Sequence, residues 1–290
     1  MRKLFINELT NVCSKKKNIY LIINDLGYNV IEPFQKKFPK RLFNAGVSEQ
    51  NMMGMAAGLS SEKNHVFVYS IANFPTFRCA EQIRNDIDYH KLPVTIVSVG
   101  SGLGYGYLGY SHHALQDYAL MRIFPNMLIV SPGNNSELIN SLNYLIKNPQ
   151  PSYLRMDKDD HANIAIKKEK ILPGKIIKII SGNKKKIILV TGSVQNIAKK
   201  LIKNKYKGYS LYSMPIWGMK IKKKVKSIIK KFNEVVTLED HFCDGGFGSW
   251  IQEIVNNSNI KTKIKSQFIK DDVIYKVGSK DYLLRLYGPK

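Results

Sequence analysis

Residues 43–58 read FNAGVSEQNMMGMAAG and hold a single carboxylate, that of Glu49, among apolar, small or uncharged side chains. Ser48 can cap a helix that starts here, which would place Glu49 in the first helical turn. Four small residues leave that helix almost without bulk, so another backbone or a flat ligand could approach closely: Gly54, Ala56, Ala57 and Gly58. The carboxylate therefore either complements the positive end of the helix dipole or serves a ligand.

Short apolar runs that alternate with helical stretches indicate the fold class. Buried strands are predicted at 19–25, 65–70 and 94–99, and helices at 3–13 and at about 79–89. Strands buried on both faces are typical of a parallel sheet with helices on both sides. Asp25 ends the first run, and the ends of strands are where α/β proteins place their sites.

The alternation repeats in the second half of the chain, with apolar runs at 187–193, 209–215 and 234–250. Between the two halves, the composition becomes polar and charged after the predicted strand PSYLRMDK at residues 151–158. We therefore predict an α/β protein of two three-layer domains with mostly parallel sheets. The predicted division is a first domain at 1–157, a linker at 158–172 and a second domain at 173–290.

The composition is strongly basic, with 45 Lys and Arg against 22 Asp and Glu and a formal net charge of +23. A net charge of this size ordinarily suggests that the protein binds an anionic partner. Only seven of the basic residues are Arg, and no zinc-ligand spacing or basic face interleaved with aromatics occurs, so we do not expect nucleic acid binding. Three unpatterned cysteines predict free thiols in a reducing, cytoplasmic setting, and no apolar run is long enough to predict a membrane span.

The string GVSEQNMMGMAAGL at residues 46–59 resembles the pyrimidine-domain signature of the transketolase family of thiamine diphosphate enzymes. The resemblance implies that Glu49 is catalytic and contacts the aminopyrimidine ring of this cofactor. A carboxyl held against the ring nitrogen stabilises the imino tautomer that activates the thiazolium carbon.

A second motif, GSGLGYGYLGYSHH at residues 100–113, resembles the family loop that runs over the cofactor into a Ser/Thr-His pair. The pair here is Ser111-His112, which implies that His112 hydrogen-bonds an oxygen of the substrate and helps proton transfer. Three glycines of the loop also fit GxGxxG, but they lie beyond the strand and lack the acid of a dinucleotide site. No further Cys or His supports a metal pair with His113, so we expect no metal ligands in this chain.

Further contacts are implied by the same resemblance. Phe74 falls on an aromatic that stacks on the aminopyrimidine, and Ile71 stands where a second aromatic is expected. With Asp25 they make up the expected cofactor contacts, and Arg78 is expected to bind substrate. Packing in the core is the alternative for Phe74, and a purely structural role is the alternative for His112.

Substrate recognition rests on one match and two departures. Arg155 matches an Arg that contacts the substrate's phosphate in many transketolases, with a surface ion pair as the alternative. Leu108 replaces an acid that binds a substrate hydroxyl, and Gly100 replaces a histidine near the acceptor, which predicts an acceptor other than the usual aldose phosphates, such as a deoxy, keto or nucleotide-linked sugar. Three tyrosines either stack on that ligand or pack the loop on its own domain: Tyr105, Tyr107 and Tyr110.

The resemblance covers nearly the whole chain, as far as EVVTLEDHFCDGGFGSW at residues 234–250. The G-D-G and downstream Asn through which relatives bind the diphosphate by way of Mg²⁺ are absent. We therefore expect a subunit of a thiamine diphosphate-dependent transferase that moves a two-carbon ketol unit between sugar-type substrates. A separate N-terminal subunit would supply the Mg²⁺ ligands, and two copies of this chain would pack together in an α₂β₂ assembly.

Two alternatives remain open at this point. One is the β subunit of a 2-oxo acid dehydrogenase or a deoxyxylulose phosphate synthase-like enzyme. It is disfavoured because SHHALQDYALMRIFPNM at 111–127 is closer to transketolase, and because the synthase keeps its diphosphate domain in the same chain. The other is a non-catalytic binding protein on this scaffold.

Overall fold

The structure is a computed structural model that describes residues 1–159 and 170–290. In chain order its strands are β1 Ile19–Ile23, β2 Leu42–Asn44, β3 His65–Ile71, β4 Val94–Val99, β5 Leu128–Val130, β6 Ser152–Met156, β7 Ile177–Ile180, β8 Asn183–Val190, β9 Tyr209–Ser213, β10 Ile216–Trp217, β11 Glu234–Leu238 and β12 Lys263–Gln267. They form a seven-stranded sheet, β10-β5-β6-β4-β3-β1-β2, and a five-stranded sheet, β12-β11-β8-β9-β7.

The helices cover both sheets. They are α1 Arg2–Lys15, α2 Glu32–Lys37, α3 Glu49–Ser61, α4 Phe74–Phe77, α5 Ala80–Gln82, α6 Asp117–Met121, α7 Asn135–Lys147, α8 Gln195–Lys203, α9 Lys222–Ile229, α10 Phe247–Asn256 and α11 Lys280–Tyr287. None of these helices, in the part of the chain that the structure describes, is both long enough and apolar enough to cross a membrane.

In the first sheet all neighbouring strands are parallel except β10 and β5. All six residues of β4 are buried, as expected for a strand covered on both faces. Phe5 of α1 and Leu142 of α7 join one core cluster, whereas Met52 of α3 joins the cluster on the other face. The predicted three-layer α/β class is confirmed.

The second sheet abuts the first through the ends of its strands. β8, β9, β11 and β12 are parallel, and β7 runs antiparallel to β9. Just beyond β8, the Gly192 N–H donates to the carbonyl of Ser131 at 3.0 Å, and the Ser131 N–H donates to Pro215 at 2.7 Å. The carboxyl ends of these strands therefore face the first sheet next to β5.

The strand β10 belongs to the first sheet, although the sequence places it in the second domain. Two residues are too few to show a period, so the pattern gave no sign of this exchange. The domain boundaries stay a prediction, and most of the predicted linker, 158–172, lies outside the described residues.

The helix expected at about 79–89 is present as α5 followed directly by a π-helix, Ile83–Asp88. One local prediction is wrong. Ser48 precedes α3 but does not cap it with its side chain, because its hydroxyl donates to the Ala45 carbonyl at 2.6 Å. The first turn of α3 thus lacks the hydroxyl acceptor that the sequence suggested.

Candidate active site

Three segments at the carboxyl edge of the first sheet form one site. β2 leads into α3 and Glu49, β3 leads into α4 and Phe74, and β4 leads into the loop that carries His112. The carboxyl ends of parallel strands lie at the same edge of a sheet, so segments that are distant in sequence meet there.

The carboxylate of Glu49 lies in the first turn of α3 and is 5% exposed. Its Oε2 lies 2.9 Å from Nη1 of Arg78, whose side chain is 52% exposed. The two residues line a pocket of about 440 Å³ together with Ser48 and Asn51. The sequence suggested an isolated carboxylate. In the structure it is neutralised by a cation that reaches solvent.

Phe74 lines a second pocket, of about 390 Å³, that shares Arg78 with the first. The Phe74 ring faces the guanidinium, with 4.6 Å between Cζ of Arg78 and the ring centroid. Phe77 lines the same pocket and is 48% exposed. Neither ring is part of the buried core, and the face of Phe74 is covered by the Arg78 guanidinium.

His112 stands beside Phe74, with their ring centroids 5.1 Å apart in an edge-on arrangement. The hydroxyl of Ser111 lies 2.9 Å from Nδ1 of His112 and orients the imidazole. Partial burial lowers the pKa of His112 below its usual value. The ring is therefore neutral at pH 7, and Nε2 makes no hydrogen bond within the described ranges.

Asn73 ties the His112 loop to the start of α4. Its Nδ2 donates to the carbonyls of Ser111 at 3.2 Å and His113 at 2.7 Å. Its buried Oδ1 has no hydrogen-bond partner among residues 1–159 and 170–290, although Asn73 lines the second pocket. The sequence analysis missed this residue. The one sign of it in the sequence is an Asn directly before Phe74.

The position of Gly100 is filled by another side chain. Gly100 has φ +89°, and a Cβ there would lie 2.2 Å from the ring of Tyr105. Tyr105 thus takes the space into which a histidine at position 100 would project. Leu108 is 55% exposed at the far turn of the same loop, and Tyr110 lines the second pocket.

Arg155 does not lie where the sequence suggested. Its guanidinium is fully buried, 2.6 Å from Oδ2 of Asp117 and 2.5 Å from Oδ1 of Asp240. It also donates to the carbonyl of Ala114 at 2.7 Å. Both the substrate-phosphate contact and the surface ion pair are therefore wrong, because every donor faces protein and none reaches solvent.

Two other predicted cofactor residues lie at the periphery. Asp25, just beyond β1, accepts hydrogen bonds from Asn44 at 3.0 Å and Tyr28 at 3.2 Å and does not line the two pockets that share Arg78. Ile71 ends β3 and is half-buried. Both residues lie at the carboxyl ends of their strands, on the edge of the sheet that carries Glu49.

The charged motif Glu239-Asp240-His241 after β11 is structural. Glu239 accepts from the N–H groups of Phe247 at 2.5 Å and Gly248 at 2.7 Å, at the start of α10. Complete burial raises the pKa of Glu239 to about 8. Burial lowers the pKa of His241 to about 4, and its ring stacks on Tyr118.

The residues at the pocket fit a flat, hydrogen-bonding heteroaromatic group better than a metal. Nowhere in 1–159 or 170–290 do three His, Cys, Asp or Glu side chains cluster closely enough to hold a metal ion. A planar group already lies between a carboxylate and an aromatic face, namely the guanidinium of Arg78. A six-membered ring with donor groups could make the same two contacts.

Residues 1–162 match the family described as transketolase, pyrimidine binding domain. The chain is 34% identical to a protein of Methanocaldococcus jannaschii assigned as a transketolase C-terminal section, over 99% of this chain and 92% of that protein. It is 28% identical to one of the subunits of an apulose-4-phosphate transketolase from Actinobacillus succinogenes, over 89% of this chain and 84% of the relative.

A 1-deoxy-D-xylulose-5-phosphate synthase of Pelotomaculum thermopropionicum is 28% identical over 88% of this chain but only 40% of the synthase. Among solved structures, a split-gene transketolase described as an inactive β4 tetramer superposes with a TM-score of 0.84 and 27% identity. That superposition covers 100% of this chain and 93% of the other.

Proposed function

Because this chain belongs to the transketolase family, we propose that it is the subunit of a thiamine diphosphate-dependent transferase that holds the pyrimidine half of the cofactor. The observation that carries the proposal is the buried Glu49 carboxylate facing Phe74 across one planar group. When bound, thiamine diphosphate supplies the nucleophilic carbon that carries a two-carbon ketol unit between sugar-type substrates.

In this proposal Glu49 accepts a hydrogen bond from the ring nitrogen of the aminopyrimidine, and Phe74 stacks on the ring face. The low exposure of Glu49 supports this role, since a carboxylate shielded from water interacts more strongly with a ligand donor. Ile71 and Asp25 are proposed as outer contacts on the same edge of the sheet. Arg78 lines both pockets and remains a proposed substrate contact once the cofactor is in place.

His112 is proposed to bind the substrate's oxygen and to exchange a proton with it. The neutral imidazole can donate or accept at Nε2, while Ser111 holds Nδ1. Because burial lowers the pKa of His112, the imidazole is ready to accept a proton from the substrate.

The other half of the cofactor site is proposed to come from a separate chain that holds Mg²⁺ and the diphosphate. The names of the relatives support this, since one is a C-terminal section and another is a single subunit of its transketolase. The solved split-gene relative is described as inactive when it is a tetramer of β chains. An assembly of two copies of this chain with two partners follows the same logic.

The acceptor is proposed to differ from the ordinary aldose phosphates. Leu108 offers no polar atom where sugar-phosphate transketolases keep an acid, and Tyr105 occupies the space next to Gly100. A relative that acts on a different sugar phosphate, apulose-4-phosphate, supports such a shift in this part of the family. Tyr105, Tyr107 and Tyr110 surround that side of the loop.

The test is to mix the purified chain with a transketolase-type subunit that carries the G-D-G motif and to measure thiamine diphosphate binding with Mg²⁺ by calorimetry. We expect binding and ketol transfer only in the mixture. Turnover by the chain alone would contradict the need for a partner. A mixture that binds the cofactor but decarboxylates pyruvate would favour the dehydrogenase or synthase alternative, which the partial coverage of the synthase disfavours.

A further inference from the structure

Arg78 makes two contacts that together resemble a bound ring. Its Nη1 forms an ion pair with Oε2 of Glu49 at 2.9 Å, and its Cζ lies 4.6 Å from the centroid of the Phe74 ring. A guanidinium is planar, carries donors along its edges and stacks on aromatic faces. Glu49 is the one carboxylate that pairs with Arg78 in the described part of the chain.

The aminopyrimidine of thiamine diphosphate needs the same two partners. It is flat, it carries donor groups on its edge, and the proposed site gives it the Glu49 carboxylate and the face of Phe74. Two planar groups cannot occupy that space at once. We propose that Arg78 fills the aminopyrimidine position in the free chain and must leave it before the cofactor binds, an inference that rests on the proposed function.

The surroundings allow Arg78 to leave. Its side chain is 52% exposed, so the guanidinium gains water when the contact with Glu49 breaks. The pockets on its two sides, of about 440 Å³ and 390 Å³, leave space for a displaced side chain. Until then the guanidinium keeps the buried carboxylate paired and the Phe74 face covered.

If Arg78 must leave the site, removing its side chain should raise the affinity for the pyrimidine. Removing a residue that simply contacts the ligand would lower that affinity. If Arg78 must open first, the measured affinity is the intrinsic affinity multiplied by the fraction of open chains. A partly exposed ion pair and a cation–π contact together correspond to about a threefold to thirtyfold loss of affinity. Removing Arg78 should therefore tighten pyrimidine binding by about that factor.

The experiment uses the full chain in complex with its partner subunit and a neutral probe, 4-amino-5-hydroxymethyl-2-methylpyrimidine, titrated by calorimetry. The variants are Arg78→Ala, Glu49→Gln and the charge-matched control Arg84→Ala, an exposed residue on the π-helix. A neutral probe removes any effect of net charge on the diphosphate. We expect tighter binding with Arg78→Ala, no change with Arg84→Ala and loss of binding with Glu49→Gln.

Weaker or unchanged binding by Arg78→Ala, with Glu49→Gln still impaired, would overturn the inference and leave the proposed function intact. Binding that is indifferent to Glu49→Gln, or absent in every variant, would overturn the proposed function and the inference with it. A second readout is the side-chain Nε–H resonance of Arg78, identified by its disappearance in Arg78→Lys. It should shift on saturation with the probe, whereas an unmoved resonance would contradict displacement.

Discussion

Arg155 of β6 and Asp240, 85 positions further along the chain, form a buried ion pair with 2.5 Å between Nη1 and Oδ1. The pair joins the first sheet to the end of β11 in the second. Because the same guanidinium donates to the Ala114 carbonyl, it also fixes the base of the His112 loop. The two sheets and the candidate site are therefore coupled through one side chain.

Replacing Arg155 should cost more than replacing its partner. Arg155→Met leaves the carboxylates of Asp117 and Asp240 buried without a cation, which corresponds to a loss of about 3–5 kcal/mol in the free energy of unfolding. Asp240→Asn keeps Arg155 paired with Asp117, so about 1–3 kcal/mol is expected. Urea titrations followed by circular dichroism measure both values.

The control is Lys265→Met, which breaks the more exposed pair with Glu234 and should change stability little. An Asp240→Asn variant less stable than Arg155→Met would contradict the argument from uncompensated charge.

Local patterns carried much of the sequence reasoning. The runs predicted at 65–70 and 94–99 correspond to β3 and β4, because a run of consecutive apolar residues is typical of a buried parallel strand. Glu49 was found because GVSEQNMMGMAAGL at 46–59 resembles a family signature, whereas its local setting alone also allowed a helix-dipole role. The grouping of Glu49, Phe74 and His112 was implied by the same resemblance.

Contacts between side chains that are distant in the sequence could not be predicted from local patterns. The burial of Arg155 depends on Asp240, and the neutralisation of Glu49 depends on Arg78, which no periodicity links. The filled space at Gly100 depends on a ring orientation in the following loop. Such features arise only when distant segments pack, so composition and spacing could not predict them.

Glu49→Gln should leave the fold intact and remove most of the cofactor's activation. Glutamine keeps the size of the side chain but lacks the charge that supports the ring. Exchange of the thiazolium C2 proton in the reconstituted complex should fall about 100-fold or more, as measured by proton NMR in deuterated buffer. Glu62→Gln, an exposed change at the end of the same helix, is the control. Exchange that stays near the wild-type rate would rule out this role.

Acid should destabilise the chain through histidines that are buried in the neutral form. Burial lowers the pKa of His65 to about 3 and that of His241 to about 4, whereas unfolded histidine takes up a proton near 6.5. Between those values the unfolded state binds more protons, so stability falls as the pH drops below 6.5. Each histidine corresponds to about 2 kcal/mol at pH 5.

Glu239 acts in the opposite direction, because its raised pKa of about 8 makes the folded state bind the extra proton. His65→Gln should flatten the loss of stability between pH 7 and pH 5, measured as the shift of the urea midpoint. His90→Gln, at an exposed position, should leave it unchanged. If the urea midpoint depends on pH equally in the wild type and in His65→Gln, His65 does not cause the loss of stability in acid.

Gly100→Ala should lower stability through two separable effects. The positive φ of +89° strains any side chain, and the added Cβ meets the Tyr105 ring at 2.2 Å. We expect a loss of about 1–3 kcal/mol. A double-mutant cycle with Tyr105→Ala should recover the part due to the collision but not the part due to the backbone. Additive losses in the cycle would mean that Tyr105 does not fill the space beside Gly100.

Leu108→Asp should move the acceptor preference towards hydroxylated pentose phosphates. The side chain is 55% exposed, so a carboxylate can be introduced without a cavity or a buried charge. A site with a polar partner favours an acceptor whose hydroxyl it can bind, because the partner is otherwise left unpaired. In the reconstituted complex, kcat/KM for ribose 5-phosphate should rise about tenfold relative to that for a deoxy acceptor. Tyr89→Asp, at a 77% exposed position outside this loop, controls for the added charge. If both variants change kcat/KM for the two acceptors in the same proportion, Leu108 does not set the preference. The same conclusion follows if the wild type already uses ribose 5-phosphate as efficiently as a housekeeping transketolase.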